Sequence, residues 1–429
     1  MNKNTLILLL LVALPTAQSF FSKFDVSLYI PFFKNIDDIA LLCLFKSASN
    51  GFIRVSKSKQ WVWFIAMYIC YISAGLISAA INNVGISQVI FQLTISIKFP
   101  YVIFVLIGIN QPLDFFSRYI KMAKAILVLS ALLIFWQILL PSSYDSLFSN
   151  GYHKGTMLFL DGIKITRGAG VFTHPGQMAI FSASFTTCLF YLYTHRREFN
   201  FNYVGLWITI GATTLLLTFS RLEIAATIVS IFITFMLTVS GRSKLLLRSA
   251  TLILLIPIIL MITPIIIFIY QQSAPEGLLA SLDPRIVFFI KSLEIARDNF
   301  PFGSGLGTYG GFVAAVYDSA VYVDYGFESY YWYLQRTFLA DTFWPHILGE
   351  TGFLGFAFYA CCPLLIIIQA LRSKNTNNTL ETFGKMAMSL TFLISLNSLA
   401  TPDMVSVLSL AQCFIPVGCL YYLGKTYAK

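Results

Sequence analysis

The feature that most constrains this chain is a series of apolar stretches, each about 20 residues long, that recurs along its whole length. A helix needs roughly 20 such residues to cross a hydrocarbon core of ~30 Å. Within that core each backbone polar group must be satisfied internally, and a single segment achieves this only as a helix. The stretches fall near 5–22, 26–46, 61–80, 88–109, 122–140, 175–194, 203–220, 222–240, 249–271, 347–371, 384–400 and 404–424. Lys34, Asp37 and Asp38 interrupt the second, and Lys98 with Pro100 the fourth. Composition agrees, with 57% hydrophobic and 11% charged residues where a soluble domain carries roughly 25% charged. The expected fold is all-α, a polytopic transmembrane helix bundle of about 12 spans. Residues 1–429 form one integral membrane domain, with outer loops near 141–174 and 272–346, the larger of them partly helical.

Basic residues favour cytoplasmic loops. With a cytoplasmic N-terminus, most of the 29 fall at inner segments or their edges: Lys3; Lys46, Arg54, Lys57, Lys59; Arg118, Lys121, Lys124; Arg196, Arg197; Arg242, Lys244, Arg248; Arg372, Lys374, Lys385; Lys425, Lys429. Both termini are therefore expected in the cytoplasm. The net charge of +10 reflects topology rather than nucleic-acid binding. The first apolar stretch has features of a signal peptide, but an uncleaved first span suits a chain that goes on to cross repeatedly. All seven cysteines lie within expected spans and read as packing residues. With four histidines and no Cys/His cluster, neither a protein-held metal nor another cofactor is expected.

In the larger loop, Asp283 is placed to cap a helix opening at Pro284 and running to about Asn299. A glycine run, Gly303 to Gly311, follows. Gly305–Gly310 spells G-x-G-x-x-G, but it lacks the preceding strand and following helix of a dinucleotide site. Close backbone approach to a ligand, or a tight turn, is the better account. The aromatic residues that come next, including Tyr322, Tyr325, Tyr330, Tyr331 and Trp332, fit either sugar stacking or an interfacial belt. Four outer arginines, Arg167, Arg221, Arg285 and Arg336, are candidates for phosphate contact, since a guanidinium matches two phosphate oxygens at once. Their alternative partners are Asp161, Glu223, Asp283 or lipid headgroups. Lys98 reads as functional, as snorkelling, or as a break in its span.

Together these segments resemble the O-antigen ligase/polymerase family of bacterial envelope glycosyltransferases. Three blocks carry the resemblance in order: Arg167-Gly-Ala-Gly-Val-Phe-Thr-His174-Pro-Gly-Gln177, then Thr218-Phe-Ser-Arg221, then a third. That third block runs from Arg285 through Asn299-Phe-Pro-Phe-Gly-Ser-Gly-Leu-Gly307 to Ile347-Leu-Gly-Glu-Thr-Gly-Phe-Leu-Gly355. The resemblance implies work on polyprenyl-pyrophosphate-linked oligosaccharides at the outer face of the bacterial cytoplasmic (inner) membrane, with a chain-length regulator protein as a partner. Ligases of the family place a histidine eleven residues before the glycine of the Glu-x-Gly block. Here that position is Asp341, while His346 stands closer. The departure points to a Wzy-type polymerase that joins repeat units, rather than to a ligase serving another acceptor.

On this reading Arg167, Arg221 and Arg285 bind the pyrophosphate, and no metal is needed. The base comes from Asp341, with Glu350 and His346 as further candidates. Tyr322, Tyr325, Tyr330, Tyr331, Trp332, Arg336 and His174 contact the sugars. The rival from another class is a flippase for the same lipid-linked sugars. Transporters, however, tend to show repeated halves and polar residues at the bilayer midplane.

Overall fold

The computed structural model describes residues 3–24, 36–148, 156–159, 163–194, 203–238, 283–373 and 377–427. The expected span 249–271 lies outside the described residues. So do Lys34, Asp161, Arg196, Arg197, Arg242, Lys244, Arg248, Lys374 and Lys429.

The elements in chain order begin with α1 (Lys3–Ser22), α2 (Ile36–Cys43), α3 (Phe45–Ser56), α4 (Lys59–Ile81), α5 (Ile86–Ser96), α6 (Lys98–Ile107), α7 (Pro112–Leu139) and α8 (Pro141–Leu147). A hairpin of β1 (Thr156–Phe159) and β2 (Ile163–Thr166) leads to α9 (Pro175–Thr194), α10 (Val204–Leu217) and α11 (Arg221–Thr238). The outer segment holds α12 (Pro284–Asp298), α13 (Phe312–Val316), α14 (Ala320–Asp324) and α15 (Tyr331–Leu334). Three long helices close the chain: α16 (Trp344–Leu371), α17 (Asn378–Asn397) and α18 (Val407–Tyr427).

Among the described residues, seven helical segments are long and apolar enough to cross a bilayer, with α5 and α6 together (Ile86–Ile107) as one of them, or eight if the bent pair α2–α3 counts as one span. The chain is thus a polytopic helix bundle. The short hairpin, with Thr156 opposite Thr166 and Phe159 opposite Ile163, is an addition to the all-α expectation. The expected span 26–46 differs most: its described part is α2, which turns by 59° into α3. The span expected from 122 starts at Pro112, so Asp114 and Arg118 lie on α7, paired at 2.9 Å. The break at Ile97 separates α5 from α6. Lys98, at that break, pairs with Asp38 at 2.6 Å, so the charges that interrupted two apolar stretches compensate each other.

Lipid tails are as apolar as leucine, so helix association in a bilayer depends on close packing and on interhelical hydrogen bonds. Small residues set the close contacts here. A Cβ on Gly51 of α3 would fall 1.8 Å from the Phe104 carbonyl oxygen on α6, and one on Gly108 2.0 Å from that of Ser47. Hydroxyls join helices elsewhere: Ser182 and Thr214 link α9 to α10 at 3.2 Å, and Tyr68 donates to the Ser96 carbonyl at 2.7 Å. The α9 helix is buried on nearly every side, which makes it the centre of its neighbourhood.

The outer segment has its own core of Val287, Phe288, Ile295, Tyr309, Tyr322, Phe327, Tyr330 and Trp332. Asp283 caps α12 as expected, accepting from the Arg285 amide at 2.9 Å. The segment is fastened to the bundle by two glycine blocks. The helix α16 breaks at Gly352, where φ is 63°. The backbone of 303–305 packs into this break: Ser304 N donates to the Gly349 carbonyl and Gly305 N to that of Glu350, each at 2.9 Å. A Cβ on Gly303 would stand 2.5 Å from Gly352 N, and one on Gly352 2.3 Å from the Pro301 oxygen. Ser78 of α4 completes the joint, donating to the carbonyls of Gly303 and Glu350. Within the G-x-G-x-x-G stretch, Gly305, Gly307 and Gly310 take positive φ of 110°, 84° and 64°, so these glycines serve the turns that follow the joint.

Candidate active site

One end of the bundle gathers the loop 167–177, the turn 218–220 and the start of α12. Gly168 N donates to the Leu217 carbonyl. Arg167 donates through Nη2 to Ser220 Oγ at 2.9 Å and through Nε to the Thr218 carbonyl at 3.3 Å. Thr218 in turn accepts from Ser220 N, and Phe219 takes a left-handed φ of 49° to make the turn this tight. Arg221 then opens α11, exposed and with no hydrogen bond or ion pair among the described residues. Lys23, just beyond α1, braces the loop from behind. It donates to the Gly170 carbonyl and to Tyr144 Oη at 2.9 Å, and burial lowers its pKa to about 7.

His174 accepts from Gly176 N at its Nδ1, 3.0 Å away. A Cβ on Gly176 would lie 3.0 Å from both His174 Nδ1 and Glu223 Oε1. The ring and the buried carboxylate thus face each other across that glycine. Arg285, in the first turn of α12, reaches the same place. Its Nη2 lies 3.6 Å from Asp341 Oδ2, and its Nε is buried without a hydrogen-bond partner among the described residues.

The groups act on one another. Burial, then Arg285 and Arg221, pull Arg167 below its ordinary range, with Glu223 opposing. Burial, with Arg167 and Arg285, lowers His174 to about 4, so its ring is neutral at physiological pH. Burial raises Asp341, Arg285 opposes, and Asp283 adds to the rise. Arg221 and Arg285 both occupy first turns of helices, where the macrodipole disfavours a cation by roughly 0.3–1 kcal/mol. The start of α9 lies against the same cluster, with Gly176 beside Glu223 and His174. Helix N-termini carrying extra guanidinium groups make a site for a multiply charged anion.

His346 and Glu350 form a separate group. Glu350 is fully buried, 3.0 Å from His346 Nε2, and its Oε1 accepts from Tyr309 N at 3.3 Å. Gln92 closes on the same ring nitrogen at 3.0 Å. Among the described residues no hydrogen bond or ion pair joins either to the three arginines, and both belong to the glycine joint. The aromatic expectation needs correction. Tyr322, Tyr330 and Trp332 are 1%, 4% and 0% exposed, because a small outer segment needs large rings to build a core. They offer no face to a sugar. Tyr325, half-buried, donates to Asp298, and Tyr331 alone of the five is exposed. Arg336 is also apart, paired at 2.8 Å with Asp318 on an exposed surface.

Sequence reading overlooked Glu223 as more than a partner for Arg221, and it overlooked Asp403. That buried carboxylate accepts from Asn397, Thr401 and Ser409 and is close enough to Glu223 for their charges to interact. Its signal was available: an acid in a short turn between two apolar spans.

Fold and site together define a polytopic helix bundle with a cluster of three arginines at one end. Residues 204–360 match the family described as O-antigen ligase. The matched stretch holds Arg221, Arg285, Asp341 and the glycine joint, and it makes the chain similar to the O-antigen ligase/polymerase family. No curated protein matches the chain.

Proposed function

We propose that the chain polymerises polyprenyl-pyrophosphate-linked oligosaccharide repeat units at the outer face of the bacterial inner membrane, with both termini in the cytoplasm. The observation that carries this reading is the convergence of Arg167, Arg221 and Arg285 on one spot, with Asp341 held 3.6 Å from Arg285. The acceptor hydroxyl gives its proton to Asp341 and attacks the anomeric carbon of the donor chain. The bond from that carbon to the phosphate oxygen breaks, and the pyrophosphate leaves with the electron pair. The arginines and helix N-termini meet that charge in a site already oriented for it, which is where electrostatic stabilisation is most effective. Asp341 suits the base role better than Glu350, since burial raises its pKa while leaving it beside the arginines.

The family description favours a second reading, transfer of a finished glycan to a different acceptor. Asp341, standing where ligases of the family place histidine, weighs against it. The test is a pH–rate profile of polymer formation. Wild-type rate falls on acidification through a pKa above the ordinary 3.8 of an aspartate, and Asp341→Asn is slow with that limb absent. An Asp341→Asn enzyme with the wild-type rate and profile removes Asp341 from the chemistry.

A further inference from the structure

Beside the arginine cluster, at the same end of the bundle, lies a polar cavity of about 190 Å³ between α1, α9 and α18. By the ~30 Å³ share of a liquid water it holds about six waters, or one sugar ring. Its wall is built of short polar side chains: Ser19 from α1, Thr173 and Gln177 from the start of α9, and Ser406 and Ser409 from the start of α18. Asp37 adds a carboxylate. Thr173 and Ser19 both approach Gln177 Oε1, at 3.1 and 3.2 Å, and Thr173 N donates to Ser19 Oγ at 3.0 Å. These bonds hold the wall in shape.

One lining residue is left over. Gln412 is fully buried, yet neither its Oε1 nor its Nε2 has a hydrogen-bond partner among the described residues. A buried amide with both ends unpaired is costly, and native proteins rarely keep one without a use. A carboxamide offers two donors and an acceptor. With hydroxyls and a carboxylate around it, that matches the mixed donors and acceptors of a sugar ring and matches no apolar or purely anionic group. The cavity is also joined to the anion site. Thr173 immediately precedes His174, and Ser409 donates to Asp403 at 2.8 Å, the acid that interacts with Glu223.

We propose that this cavity binds the sugar ring attached to the lipid pyrophosphate, so that Gln412 and Ser19 select glycosylated lipid over bare lipid. The inference rests on the lipid-linked substrate proposed above. Its test measures binding, so it needs no turnover. The purified full chain is titrated with bare polyprenyl pyrophosphate and with the same lipid carrying the repeat unit isolated from producing cells. Two or three new hydrogen bonds predict that wild type prefers the glycosylated lipid by about tenfold or more. Gln412→Leu, of similar size, brings the two affinities together while bare lipid still binds. Ser19→Ala, at the half-exposed rim, narrows the gap a few-fold and decides the matter if Gln412→Leu loses bare-lipid binding as well. Equal affinities in wild type, or an undiminished preference in both variants, overturn the proposal. A preference abolished in Gln412→Leu, in a protein that forms no polymer, retains the cavity's role and removes the polymerase reading.

Discussion

Replacing Arg285 by alanine separates a chemical role for this residue from a structural one. The side chain is 39% exposed and its partner Asp341 40%, with 3.6 Å between them. A pair this exposed and this long contributes ~0–1 kcal/mol to stability. Removing a cation from a helix N-terminus returns roughly 0.3–1 kcal/mol. The two nearly cancel, so stability should change by less than about 1 kcal/mol in either direction. Against a typical reserve of ~5–15 kcal/mol, the folded fraction does not move. Loss of one preorganised donor to a developing negative charge, by contrast, costs about 10²–10³-fold in rate. The assay pairs thermal unfolding in detergent with initial rates of polymer formation on lipid-linked repeat unit. A rate within threefold of wild type refutes the assignment. A large drop in unfolding temperature that accounts for the lost rate shows instead that Arg285 is structural.

Other outcomes follow from the same geometry. Gly303→Ala and Gly352→Ala each drive a Cβ to 2.5 Å or less from facing backbone at positive φ. Each should therefore destabilise by at least ~3 kcal/mol, read as lost membrane-inserted protein or a lowered unfolding temperature. Trp332→Ala should cost about 3–5 kcal/mol by emptying the outer core, and a change under ~1 kcal/mol in unfolding experiments contradicts that placement. His174 is held neutral in the fold, with a pKa of about 4 against an ordinary 6.5. Its contribution is present above pH 6.5 and is lost as pH falls from there to about 4. The loss is at most about 3 kcal/mol. Unfolding free energies measured across that window should slope upward with pH, and His174→Gln should flatten the slope.

What could be read from the sequence was what local chemistry determines. Apolar length fixed most spans, because a helix in lipid satisfies its own backbone regardless of its neighbours. The Asp283–Pro284 cap is equally local. The arginines were recognisable because charge at the rim of a bundle has few cheap explanations. Long-range pairing was not legible. Nothing near Lys98 names Asp38 as its partner, and nothing in the glycine run names the break at Gly352. The aromatic stretch misled for a related reason: Tyr322, Tyr330 and Trp332 look the same in sequence whether they face a ligand or one another. Gln412 lay inside an apolar span, where composition gives no hint of a cavity beside it.

The most direct test of the central claim is product size after purified protein is given lipid-pyrophosphate-linked repeat unit, with a chelator present and no sugar nucleotide. The account predicts a ladder of multiples of the repeat, with free polyprenyl pyrophosphate released in step with each bond formed. Unchanged substrate, with the lipid-linked sugar crossing a vesicle bilayer when the protein is present, contradicts it and makes the chain a transporter.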